Sequence, residues 1–128
     1  HTVVFGVRSF ENAEIERLNK HNIRYYTMNE IRRRGFFNCF NEAQQIVSKC
    51  KNGYGISLDL DSIDPKFASG VSIREVDGIS LNKLYLAIKR LPKQSLKAVE
   101  IVEFNPYKDR HLQTAKIIKK LIYCVNNW

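Results

Sequence analysis

Long apolar runs are missing from this sequence. Thr2–Val7 is short, and Ile117–Val125 is interrupted by Lys119 and Lys120, far from the roughly 18 continuous apolar residues a spanning helix requires, so no membrane segment is expected. Cysteine is scarce. Cys39, Cys50 and Cys124 are an odd set with no C-x-x-C spacing, which excludes a disulfide framework and a structural zinc site. Each lies in or near an apolar helical pattern, where a free thiol acts as a small hydrophobe, and a reducing, cytoplasmic setting fits that usage. Only 6 glycines and 3 prolines are present, with no linker-like stretch, low-complexity tract or internal repeat. A phosphate-cradling glycine loop of either common type is also lacking. Ser9, Ser57 and Ser80 have no glycine-rich elbow, and His1, His21 and His111 read as surface histidines, so no nucleophile triad is indicated. Acidic residues are in deficit: 13 against 21 lysines and arginines, a formal net charge of +8. Arg32, Arg33 and Arg34 are the one tight basic run, and Lys116, Lys119 and Lys120 fall at helical spacing. These are solvated helix faces; without an aromatic-studded basic strand or recognition helix they do not indicate nucleic-acid binding.

What is present is the composition of one globular domain: 128 residues, 44% hydrophobic and 27% charged, against typical domains of about 100–200 residues. Thr2–Val7 is β-branched and apolar, as in a buried strand. Glu11–Lys20 sets Ala13, Ile15 and Leu18 among charges as a modest amphipathic helix. Arg24–Thr27 is a second strand candidate, and a helical turn over Asn29–Arg34 ends at Gly35, suited to a C-cap. Phe40, Ala43, Ile46, Val47 and Cys50 then recur at steps of three and four, the face of a helix closed by Asn52-Gly53. Tyr54–Leu60 is the third strand. Ser80 is placed to N-cap a helix striped by Leu81, Leu84, Ile88 and Leu91 and ended by Pro92. Ser95–Phe104 is the fourth strand, and Leu112, Ala115, Ile118, Leu121, Ile122 and Val125 stripe a last helix. Strands alternating with helices predict an α/β fold, a parallel sheet of about four strands with helices on both faces. The first strand begins at Thr2 and the one methionine is Met28, so the chain reads as a piece of a longer polypeptide whose sheet continues upstream.

Ligands of open parallel sheets bind beyond the carboxyl ends of the strands, and the informative polar residues gather there. Strand one is followed by Arg8, Ser9 and Glu11, strand three by Asp59, Asp61 and Asp64, strand four by Glu103 and Asn105. Asp59-Leu60-Asp61 closes a strand, and a two-residue period sends both carboxylates to one side. Carboxylates this close repel unless a proton or cation lies between them, and hard divalent ions such as manganese or magnesium prefer such oxygens. The alternative is that Asp61 and Asp64 are turn and capping residues before Pro65. A calcium loop fits poorly, since neither the sharp-turn glycine nor the closing glutamate is in place. Glu100 and Glu103 are three apart and face opposite sides; Glu103, at the strand's end, is the better functional candidate, with an ion pair to a neighbouring arginine as its alternative.

Three stretches, in order and covering nearly the whole chain, resemble the ureohydrolase family of arginase, agmatinase and formiminoglutamase. Ser57-Leu58-Asp59-Leu60-Asp61-Ser62-Ile63-Asp64-Pro65 is similar to the family's S-x-D-x-D-x-x-D-P metal motif. Val102-Glu103-Phe104-Asn105-Pro106, with Thr114-Ala115 downstream, resembles its E-V-N-P strand end, and Gly6-Val7-Arg8-Ser9 its G-[IL]-R segment. The resemblance implies the C-terminal part of a three-layer arginase-like fold, filling residues 1–128. It implies two manganese ions whose bridging hydroxide attacks a guanidinium or formimino carbon, Asp59 bridging both ions and Asp61 chelating one. It gives Glu103 the cationic group of the substrate, as catalytic and substrate-binding residue, and Glu11, on a looser match, the amino-acid end. A small guanidino or formimino amino acid is the implied substrate, and a homo-oligomer the implied parent. Two departures stand out. Where the family commonly reads P-G-T-G-T-P-x-x-G-G, this chain has Ser69-Gly70-Val71-Ser72-Ile73-Arg74-Glu75-Val76-Asp77-Gly78, so arginase ranks first with formiminoglutamase or agmatinase as alternatives. The family's D-A-H-x-D and G-G-D-H motifs have no counterpart, so manganese is expected to be held weakly and this chain alone to be catalytically incomplete. A degenerate, non-catalytic α/β binding module is the competing expectation.

Overall fold

In the computed structural model, which describes residues 1–92 and 94–126, the four expected strands alternate with helices. The chain folds as two compact units, one from His1 to Tyr54 and one from Gly55 onward.

In the first unit, β1 (Val3–Val7) and β2 (Arg24–Thr27) pair in parallel, Val3 opposite Arg24 and Phe5 opposite Tyr26. Parallel neighbours need a crossover connection, supplied by α1 (Asn12–Lys20). The register slips between Phe5 and Val7. Gly6 sits there at a φ of 88°, a value that the absence of a Cβ permits and that accommodates the bulge. Two more helices, α2 (Met28–Arg34) and α3 (Phe36–Val47), meet at Gly35, whose φ of 91° ends one and opens the next. Thr27 caps α2 through its hydroxyl, which accepts from Glu30 N at 3.1 Å. The core is aromatic: the Phe5 ring lies 5.5 Å from both Tyr26 and Phe36 and 5.9 Å from Phe40, and Phe36 stacks on Phe40. Glu30 accepts from Arg24 and, at 2.7 Å, from Arg34, which also pairs with Glu42. The basic run is therefore partly consumed by internal ion pairs. Burial pushes the Cys39 thiol up, which leaves it an inert core side chain.

In the second unit, β3 (Tyr54–Asp59) pairs with β4 (Leu96–Val102). A Cβ placed on Gly55 would stand 3.6 Å from the carbonyl oxygen of Ala98. In the parallel pairing that strands alternating with helices adopt, this contact sets the starts of the two strands side by side and brings their ends, Asp59 and Val102, out at one edge. Two helices, α4 (Leu81–Lys89) and α5 (Gln113–Asn126), complete the unit and pack on each other. Leu84, Ala87, Ile88 and Leu91 are buried, as are Ile117, Leu121 and Cys124. Lys120 lays its ammonium 4.3 Å from the centre of the Tyr85 ring.

Several expectations are corrected. The α/β class, with strands alternating with helices, is as expected; what differs is the pairing, which among the described residues runs two and two, β1-β2 and β3-β4, because local pattern sets a strand's existence while its partner is set by hydrogen bonds between distant segments. The α5 stripe turns by about one residue: Thr114, Ile117, Leu121 and Cys124 are buried, while Leu112 and Ile122 are exposed. Thr114 belongs inside because its hydroxyl has a buried partner, the Gly70 N–H at 2.7 Å. Along α3 the buried face is Phe36, Cys39 and Ala43, and Cys50 lies past the helix end. Ser80 stands at the α4 N-cap without a side-chain cap bond; its carbonyl alone accepts, from Leu84 N at 3.0 Å.

Among the described residues no helix is long and apolar enough to cross a membrane. The buried hydroxyl of Tyr54 finds no hydrogen-bond partner among them either. Removing an unsatisfied buried polar group relieves its desolvation cost, so Tyr54→Phe is expected to be neutral or to stabilise the chain by about 1 kcal/mol, read as an unchanged or raised urea midpoint. A clear drop would show that the hydroxyl has a partner after all.

Candidate functional site

Asp59 is the last residue of β3, and there the chain leaves the strand for a single 3-10 turn, Leu60–Ser62. Asp59 causes the change: its Oδ1 accepts from Asp61 N at 3.0 Å, the local bond by which aspartate competes with a strand ladder. Ser62 Oγ closes the turn on the Asp59 carbonyl at 2.6 Å. Asp61 thus lies in a turn, and the two-residue strand period expected to carry both carboxylates to one side stops at Asp59. The two remain adjacent and half-buried. The cap bond uses one of the several acceptor positions of the Asp59 carboxylate, orienting the group without exhausting it. Asp64 is a turn residue, as the alternative reading held. Its Oδ1 accepts from Lys66 N at 3.1 Å and its Oδ2 faces Lys66 Nζ at 3.7 Å.

Beneath this turn, buried Leu60 and Ile63 anchor it. Ile63 bridges Ile79 in parallel, with Asp64 N on Ile79 O at 3.2 Å and Ile79 N on Ser62 O at 2.9 Å. Gly78 lets the chain in so close: a Cβ there would come within 2.5 Å of Asp64 N and 2.7 Å of Ser62 O.

Glu103 is the first residue beyond β4, at the same sheet edge as Asp59. It is exposed and adopts a φ of 64°, so strand alternation does not decide its side, and the comparison with Glu100 by strand face lapses. The backbone turns there into the 3-10 segment Pro106–Lys108, capped by Asn105, whose Oδ1 accepts from Tyr107 N at 3.1 Å. Sequence reasoning missed Asp109. Its two oxygens accept from Thr114 N at 2.8 Å and Ala115 N at 2.9 Å, capping α5 and fixing the far end of the Glu103 loop. Its signal was an aspartate a few residues ahead of a helical stripe. Glu11, in the other unit, precedes α1, and its N–H donates to Glu14 Oε2 at 2.9 Å.

Burial works against the ionised form of Asp109, but the N–H groups of Thr114 and Ala115, joined by the Thr114 and Ser69 side chains, outweigh it and hold the carboxyl below the usual range. The folded-state pKa lies below the unfolded value of about 3.9. The resulting stability is present above that value and is lost as pH falls through the folded-state pKa. Asp109→Asn should therefore lower the unfolding midpoint at pH 7 and flatten its fall below about pH 4. Equal acid slopes in the two proteins would rule out this role.

Manganese suits carboxylate oxygens, and Asp59 and Asp61 are donors of the right hardness. The number falls short: among the described residues no group of three or more histidine, cysteine, aspartate or glutamate side chains is placed to hold a metal ion. The residues present fit part of a metal site.

The Arginase family profile matches residues 1–126. The arginase of Bacillus caldovelox is 32% identical over 123 residues, 95% of this chain, and its native structure superposes with a TM-score of 0.91. The arginase of Bacillus subtilis (strain 168) is 34% identical over 95% of the chain. The formimidoylglutamase structure from Bacillus subtilis is 26% identical over 96% of the chain, with a TM-score of 0.87. The chain spans about 41% of the length of these arginases and 39% of the formimidoylglutamase.

Proposed function

The chain belongs to the arginase family, and from that premise we propose that it carries one part of the catalytic centre of a manganese-dependent hydrolase that cleaves a C–N bond of a guanidinium-bearing amino acid. Arginine ranks first as substrate, giving ornithine and urea, with formiminoglutamate and agmatine as alternatives. Asp59 and Asp61 are the metal ligands in this reading, and Glu103 binds the planar cation of the substrate. Bound manganese would lower the pKa of a coordinated water so that hydroxide is available near neutral pH. The residues of this chain orient: the Asp59 cap bond fixes one carboxylate, and the Glu103 turn presents a charge-assisted acceptor to a guanidinium.

One observation carries the proposal. The ends of two paired strands, Asp59 and Val102, share an edge, so the Asp59-Asp61 turn and Glu103 follow from neighbouring positions in the place where open α/β sheets bind ligands. The remaining metal ligands, in this reading, belong to the part of the family fold that the chain does not span.

The test is a chimera in which this chain replaces the aligned segment of Bacillus caldovelox arginase, assayed for manganese-dependent urea release from arginine. Turnover supports the proposal. A folded, manganese-loaded chimera inert towards arginine, agmatine and formiminoglutamate would instead favour a non-catalytic binding module. Calorimetry on the 128-residue chain alone is expected to show weak manganese binding; tight uptake of two ions would overturn the division of the site.

A further inference from the structure

Glu103 occupies the left-handed region at a φ of 64°, a conformation that costs free energy for any residue with a Cβ. Left to itself the turn after β4 would relax and its carboxylate would point elsewhere. The restraint comes from another stretch, residues 69–74, which has no proline to stiffen it. Asn105 joins the two: its N–H donates to Gly70 O at 2.8 Å and its Nδ2 to Ser72 Oγ at 3.2 Å. Two cations then cross in opposite directions. Lys108 Nζ donates to Ser72 O at 3.0 Å, and Arg74 Nη2 donates to Lys108 O at 3.0 Å. The same guanidinium holds Ser69 O through Nε at 3.0 Å and Nη2 at 2.6 Å. Each cation grips a carbonyl of the segment that carries the other, so neither loop can shift without breaking bonds from both.

We infer that Arg74 and Lys108 are positioning residues, a reciprocal clasp that holds the Glu103 turn in its left-handed conformation and thereby sets the direction of the carboxylate. The clasp is a property of the two loops. Its importance for the reaction rests on the reading of Glu103 as the group that binds the substrate cation. Charged donors on carbonyls make stronger bonds than neutral pairs, and here several close one ring, so the loss of either side chain should be felt at the opposite loop.

The experiment is NMR on the isotope-labelled 128-residue chain carrying Arg74→Ala, Lys108→Ala, Lys108→Arg or Lys97→Ala. Lys97 is the control, since its ammonium donates to Gln94 O, three residues away on its own segment. In both clasp alanine variants the Asn105 amide should exchange about tenfold faster, and the Glu103 H–N to Hα coupling and carbon shifts should leave their left-handed values. Lys108→Arg, which can still donate to Ser72 O, should restore both signals, and Lys97→Ala should leave them unchanged. Should Arg74→Ala unfold the chain, Lys108→Ala, which removes a single exposed side chain, decides the matter. Unchanged Glu103 and Asn105 signals in the folded alanine variants would overturn the clasp. The substrate reading fails separately: if Glu103→Gln in the arginase chimera leaves turnover intact, the clasp stands as a structural device without that role.

Discussion

Gly78→Ala will destabilise the chain by about 3 kcal/mol, the upper end of the usual overpacking range. The reason is what the new methyl group meets. A Cβ at residue 78 falls 2.5 Å from Asp64 N, 2.7 Å from the Ile63 carbonyl carbon and 2.7 Å from Ser62 O. All three are backbone atoms, which cannot turn aside as a side chain would. Relief requires parting the Ile63–Ile79 bridge, losing its two hydrogen bonds and uncovering two isoleucines that are at most 4% exposed. Against a total stability of about 5–15 kcal/mol such a loss shows directly in a urea titration, with faster exchange at the Asp64 and Ile79 amides. Gly55→Ala is the comparison: its Cβ would meet Ala98 at 3.6–3.7 Å, ordinary contact, so it should change stability by less than about 1 kcal/mol. If the two variants melt together, the close approach at Gly78 is not what holds the turn.

A second large effect is expected at the carboxylates themselves, measured as urea release by the arginase chimera. Asp59→Asn keeps an oxygen that can accept from Asp61 N, so the 3-10 turn survives while the anionic ligand is lost. Metal-ion stabilisation is worth several kcal/mol, and each 1.36 kcal/mol is tenfold in rate, so turnover should fall about a thousandfold with stability nearly unchanged. Asp59→Ala should lose turnover equally and also about 1 kcal/mol of stability, the usual value of a capping side chain. At the other strand end, Glu103→Gln exchanges a charged acceptor for a neutral one. Bonds to charged groups contribute about 1.5–3 kcal/mol, so kcat/KM for arginine should drop by about a hundredfold, in a protein as stable as its parent because the residue is exposed. Retained activity in Asp59→Asn would remove the metal-ligand role; retained kcat/KM in Glu103→Gln would remove the substrate role.

The strands and helices were legible because their residues repeat at the right intervals. Val3, Val4 and Val7 mark a strand, though one only partly buried, and Leu84, Ile88 and Leu91 return on one buried face. The acidic residues that matter could also be picked out by position, since the ends of strands are where α/β sheets keep their chemistry. What the pattern could not carry was long-range or conformational. Nothing in the local spacing of β1 or β3 states which neighbour completes a ladder, and the pairing came out two and two. Period-two reasoning passed through Asp59 to Asp61 because it has no provision for a side chain that caps its own chain two residues on. The same reasoning passed through Val102 to Glu103, where the backbone had already turned to positive φ. Thr114 was left off the α5 stripe because threonine looks polar until the Gly70 N–H that it satisfies is found, 44 residues away. Arg74 and Lys108, read only as part of a general basic surplus, took on meaning once the carbonyls they reach were known.

The two-and-two arrangement of strands has a consequence for handling the protein. Among the described residues each strand has one ladder neighbour, and a row of N–H and C=O groups left without one is a template for strand addition by another chain. A lysine on an edge strand opposes such growth, so neutralising Lys97, exposed in β4, should make concentrated solutions turn cloudy sooner.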